Sequence, residues 1–90
     1  MKYNEFEFYG FTEDLAQSLE LEKVKTDSEN WFIFYKNRQD NWIKFYPFAE
    51  YHGGGAPYLI NIGSLDFDLW LKENGNFVAS AREIIITKVQ

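Results

Sequence analysis

The sequence predicts an α+β domain: an antiparallel sheet of five or six strands packed against one helix over about residues 12–22. Three observations predict it. Aromatic residues crowd the middle of the chain, eight in the eighteen positions from Trp31 to Phe48, and rings supply much of the burial energy of a small core. Alternation with period two recurs in several short runs, the pattern of half-buried strands. The stretch after Thr12 combines a cap, first-turn acids and helical spacing, and is the one well-supported helix. Ninety residues make a single domain, 1–90.

Each element follows from local chemistry. From Tyr3 to Tyr9, Phe6 and Phe8 fall on one face while Tyr3, Glu5, Glu7 and Tyr9 fall on the other, so this is a strand, ended by Gly10. Thr12 is the expected N-cap, with Glu13 and Asp14 in the first turn, where the helix dipole favours acids. Leu15, Ala16 and Leu19 line one helix face. Thr26 to Asn30 is turn-like. Trp31–Lys36 and Trp42–Phe48 read as strands joined by Asn37-Arg38-Gln39-Asp40-Asn41, a loop with turn chemistry, and Pro47 marks a strand end. A loop around Gly53-Gly54-Gly55 leads to a short strand, Tyr58–Ile62.

Two readings compete for Leu65–Leu71. As a helix it would be capped by Ser64 and ended by Gly75. As a strand it alternates Leu65, Phe67, Leu69 and Leu71 against Asp66, Asp68 and Trp70. The strand is preferred because Asn74-Gly75 between alternating runs is the strongest short-range hairpin signal. The β-branched Ile84-Ile85-Ile86-Thr87 then makes Phe77–Val89 the last strand.

Composition narrows the function. The chain carries no cysteine and one histidine, His52, so neither a disulfide nor a histidine-rich metal site supports the fold. Lack of cysteine fits a reducing cytoplasm, and the polar start Met1-Lys2-Tyr3-Asn4-Glu5 is unlike a secretory signal, so a cytoplasmic location is expected. No apolar run approaches the roughly 20 residues of a membrane span. The net charge of −5 resides entirely in residues 1–30, since residues 31–90 balance six acids with six bases. An acidic surface disfavours nucleic acid. It suits a basic protein partner, or solubility alone.

Catalytic signatures are lacking. His52-Gly53-Gly54-Gly55 has the form of the HGGG oxyanion loop of lipases and esterases, but there is no G-x-S-x-G and no second histidine. A lone histidine near Glu50 and Tyr51 is more often solvated than catalytic. Asp66 and Asp68 would share a strand face, which is more often its polar side than a carboxylate pair. No enzyme activity, metal or cofactor is expected.

The aromatic hairpin is more specific. Phe32, Phe34, Ile43 and Phe45 are natural core residues. The opposite faces carry Trp31, Ile33 and Tyr35, then Trp42, Lys44 and Tyr46. If open, that second face would serve as hot-spot anchors; if covered, both sides of the hairpin are core. A flanked lysine speaks against complete burial. The leading expectation is a small, acidic, non-catalytic protein that docks on, and inhibits or regulates, a larger macromolecule. Its anchors would be Trp31, Tyr35, Trp42, Lys44 and Tyr46, and Glu5, Glu7, Glu13 and Asp14 would steer a basic partner. Inhibitor, antitoxin-like and immunity-like proteins have this general profile, an analogy of class rather than of family. The alternative is a sugar or nucleotide site built from Tyr51, His52, Gly53, Gly54, Gly55 and Tyr58. Homodimerisation through an edge or aromatic face competes with both.

Overall fold

The computed structural model describes residues 1–48 and 55–89. Among them are six strands, β1 (Lys2–Tyr3), β2 (Phe6–Gly10), β3 (Glu22–Asp27), β4 (Phe32–Lys36), β5 (Asn41–Phe45) and β6 (Tyr58–Gly63), and three helices, α1 (Glu13–Ser18), α2 (Phe67–Glu73) and α3 (Phe77–Val89). The strands form one sheet in the order β1-β2-β6-β5-β4-β3, and every neighbouring pair is antiparallel. The α+β class and the six-stranded sheet are as the sequence predicts. The helices are three, not one.

Alternation sorts the sheet into two faces. Phe8, Ile60, Ile43 and Phe34 form one row across the four central strands, all buried. Onto that face folds the helical hairpin of α2 and α3. Trp70 and Phe77 meet edge-on with centroids 4.9 Å apart, and Phe77 meets Phe45 at 5.0 Å. Phe34 packs on Phe67 at 4.8 Å and Phe6 on Trp70 at 5.4 Å. Arg82 of α3 donates from Nε to the Pro47 carbonyl at 2.6 Å, tying the hairpin to the end of β5.

The C-terminal strands of the sequence reading are therefore corrected to helices. In α3 the buried residues are Phe77, Ala81 and Ile85, while Ala79 and Glu83, which a strand would place on the same face, are exposed. Asp66 caps α2 by accepting from Leu69 N at 3.0 Å, so Asp66 and Asp68 never share a strand face. Asn74-Gly75 links two helices: Asn74 donates its backbone N–H and its side-chain amide to the Trp70 carbonyl. Thr12 caps α1 as expected, accepting from Leu15 N at 3.0 Å. That helix stops at Ser18, short of Glu22, and Glu22–Asp27 form the edge strand β3.

One topological fact positions the site. Chain order takes β2 to β3, yet these strands lie four places apart, roughly 19 Å at 4.7–4.9 Å per strand. Because α2 and α3 occupy one face, residues 11–21 cross the other.

Truncating the ring at the centre of the helical hairpin tests this account. Trp70→Ala should cost about 3–5 kcal/mol, much of the stability of so small a domain. A urea midpoint that falls by less than about 1 kcal/mol equivalent would show that the hairpin does not hold the core.

Candidate functional site

The site grows from the crossover. Its first residue, Phe11, hangs from the Pro57 carbonyl through its backbone N–H at 2.9 Å. Its ring turns back over the sheet to stack on Tyr35, with centroids 6.2 Å apart and planes 25° apart. Lys44 Nζ sits 4.2 Å from the Phe11 centroid and 5.8 Å from that of Tyr46, so cation–π contact with two rings explains how a lysine lies half-buried. At the far end of the crossover, the Leu19 carbonyl accepts from Asn37 Nδ2 at 3.0 Å. The crossover thus forms a diagonal band. Trp42, only 4% exposed, and Leu59 are buried on this face.

The second face is therefore part covered and part open, and the five expected aromatic-face residues separate. Trp42 is buried, so as a surface anchor it is withdrawn. Tyr35 is half-buried under Phe11; burial pushes its hydroxyl pKa up, and the neighbouring Glu13 charge adds to this. Tyr46 and Lys44 are half-buried at the band's edge. Trp31 is 51% exposed and packs edge-on against Tyr46 at 5.8 Å. Beside this pair a cleft of about 270 Å³ is lined by Thr26, Ser28, Trp31, Phe32, Ile33 and Tyr46. Ile33 belongs to this open corner but was not among the expected anchors; its place opposite Lys44, between Trp31 and Tyr35, was the available signal.

Trp31 holds an unusual backbone. Its φ is 62°, in the left-handed region where a side chain costs roughly 1–2 kcal/mol and where glycine or asparagine is usual. The turn before it is secured by Asp27, which accepts from Asn30 N at 3.3 Å and from Asn30 Nδ2 at 3.0 Å. The Asn30 amide, chiefly, holds the Asp27 carboxyl below its ordinary 3.8; Lys25 adds to this and burial opposes it. A bulky ring is thus kept in a strained conformation while contributing little burial. Such outliers concentrate where function over-determines the backbone.

The expected acids lie near this face. Tyr9 pairs with Leu59, and its hydroxyl donates to the Glu7 carboxylate at 2.5 Å, which pushes the Tyr9 pKa up. Glu13 and Asp14 occupy the first turn of α1. Glu5 sits in the turn between β1 and β2. All four acids are exposed.

The expected glycine-loop site falls largely outside the described residues. Tyr51, His52, Gly53 and Gly54 lie outside the described residues. Gly55 has φ 59°, and a Cβ there would meet that of Phe48 at 3.2 Å, so the fold itself calls for glycine. Tyr58 packs its ring on Phe8 and Phe45 at 6.4 and 6.3 Å, on the helix-covered side of the sheet. Among the described residues, no group of three or more His, Cys, Asp or Glu side chains is placed to hold a metal, and no helix is long and apolar enough to cross a membrane.

Two stability measurements separate the tryptophans of this face. Trp31→Asn should change stability by no more than about 1 kcal/mol, because relieved strain offsets the lost ring pair. Trp42→Ala should cost about 3–5 kcal/mol. Equal urea midpoints for the two variants would contradict the division of the face. The turn also predicts a pH response. Because the folded Asp27 pKa is lowered, its contribution is complete above 3.8 and is lost as pH falls through the lower folded value. The Asn30 amide resonance should therefore move on acidification, and Asp27→Asn should abolish that step.

No curated protein and no solved structure matches the chain. A family model does match, that of immunity protein 27, over residues 13–63. The match runs from the first residue of α1 to the last of β6, and so takes in the crossover helix, the β3–β4 turn and the four strands beneath them. Covering more than half of the sequence, it shows that the chain belongs to the immunity protein 27 family, Imm27.

Proposed function

We propose that this protein is an immunity protein that binds a toxin and neutralises it through the open corner of the sheet. The observation that carries the reading is Trp31: half exposed, backbone-strained and unnecessary to the core. Family membership supports a protein partner of the toxin kind. Trp31 and Tyr46 are the anchors, with Tyr35 and Lys44 at the covered border. Glu5, Glu7, Glu13 and Asp14 steer a toxin of basic surface toward this side, since charge at a rim acts mainly on the rate of encounter. The protein acts by occupying the toxin and performs no chemistry itself. The encounter takes place in the cytoplasm, which the cysteine-free sequence fits.

Affinity purification from the native host identifies the partner, and co-expression with the toxin so identified tests the proposal. The intact protein should restore growth. The triple variant Glu7→Lys, Glu13→Lys, Asp14→Lys should bind with an association rate at least roughly tenfold slower and a weaker salt dependence. Growth arrest despite full expression of the intact protein would sink the proposal. An association rate unaffected by the three reversals would remove the steering role of the acids.

A further inference from the structure

We infer that the cleft beside Trp31 receives a single aromatic side chain projecting from a basic protein surface, which deepens and rests on the immunity reading above. The cleft measures about 270 Å³, whereas a cavity of about 150 Å³ is enough for a benzene ring. It therefore has room for an aromatic ring. Its walls are the Trp31 and Tyr46 rings, Phe32, Ile33 and two hydroxyl residues, Thr26 and Ser28. No carboxylate residue lines it, so an inserted guanidinium or ammonium would find no counter-charge, and Lys44 stands close to the Tyr46 ring. A ring entering here can meet Trp31 and Tyr46 edge-on, as those two already meet each other. The charge requirement falls outside the cleft, on the acids of residues 1–30.

That same charge selects the occupant. A second copy of this chain carries the same −5 and the same exposed acids on the same side of the sheet, so face-to-face pairing sets like charges together. A basic partner does the opposite.

Two probes test the inference. In an NMR titration, N-acetyl-phenylalaninamide should shift the Trp31 indole N–H and the Ile33 methyls saturably. It should bind roughly threefold to tenfold more tightly than N-acetyl-leucinamide or N-acetyl-argininamide, the scale of one edge-on ring pair. Against the toxin purified with the protein from its native host, Trp31→Asn should weaken binding by about thirtyfold or more, the scale of a hot spot. Thr26→Trp, which fills the cleft from the exposed edge strand and leaves Trp31 in place, should do the same. Toxin bound equally by both variants would overturn the inference, as would an argininamide that outcompetes the phenylalaninamide. So would a dimer in light scattering that Trp31→Asn dissociates, since the occupant would then be a second copy. Failure of the intact protein to bind the toxin would instead count against the immunity reading, and the amide titration would still decide whether the cleft accepts a ring.

Discussion

A sheet has two faces, and this chain has one helical hairpin to cover them. Everything else in the structure follows from how that shortage is resolved. The hairpin of α2 and α3 goes to the face bearing Phe8, Phe34, Ile43, Phe45, Ile60 and Ile62, and closes it around Trp70 and Phe77. Rings suit this task because each buries a large area with few rotatable bonds. A cysteine-free domain of ninety residues thereby gains a dense core without a covalent staple. Nothing of comparable bulk is left for the other face. It receives the β2-to-β3 crossover, whose helix has six residues.

A band that narrow crosses the sheet without covering it. It buries Trp42 and Leu59, catches Tyr35 and Lys44 at its margin, and leaves Ile33, Trp31 and part of Tyr46 outside. The open corner is thus a consequence of topology and not an accident of composition. The strain at Trp31 fits the same logic. A left-handed residue closes the β3–β4 turn so that Phe32 enters opposite Asp27, and a glycine or asparagine would do so more cheaply. Tryptophan at that position worsens local stability and enlarges the exposed ring surface, the direction of compromise expected where binding and stability compete.

How much of this was legible in the sequence differs by element. β2, β4, β5 and β6 were: β2 alternates apolar and polar residues, β4 and β5 are aromatic-rich runs on either side of a turn, and β6 is a short apolar run ended by Gly63. Thr12 announced α1 through its cap. β3 was not legible: as an edge strand with five of six residues exposed, Glu22-Lys23-Val24-Lys25-Thr26-Asp27 has no buried side to impose a pattern. In α3 the run Ile84-Ile85-Ile86 favours strand by propensity, but Phe77, Ala81 and Ile85 must meet one layer of rings, and packing overrides propensity. Asn74-Gly75 serves a helical turn as readily as a hairpin, so the dipeptide could not decide between them. Trp31 and Tyr46 could be assigned to the second face by counting in twos. That Trp42 lies under the crossover could not, since no local period records which edge of the sheet a strand will join.

The edges of the sheet bear on the proposal that recognition falls to a face. An unpaired strand edge invites another chain to add a strand. Here β1 has two residues, too short to template such pairing. β3 is interrupted by a register shift between Lys23 and Lys25, with Val24 exposed in the irregularity, and its lysines resist an apolar strand approaching side by side. Bulges, lysines and short edge strands are the devices by which sheet proteins block edge-to-edge association. Both edges are blunted and helices cover one face of the sheet, so the Trp31 corner is an apolar surface open on the sheet's other face, while Leu65 and Leu69 stay exposed on the helical side. The net charge of −5 adds a repulsive contribution between copies and would favour a surface of opposite sign.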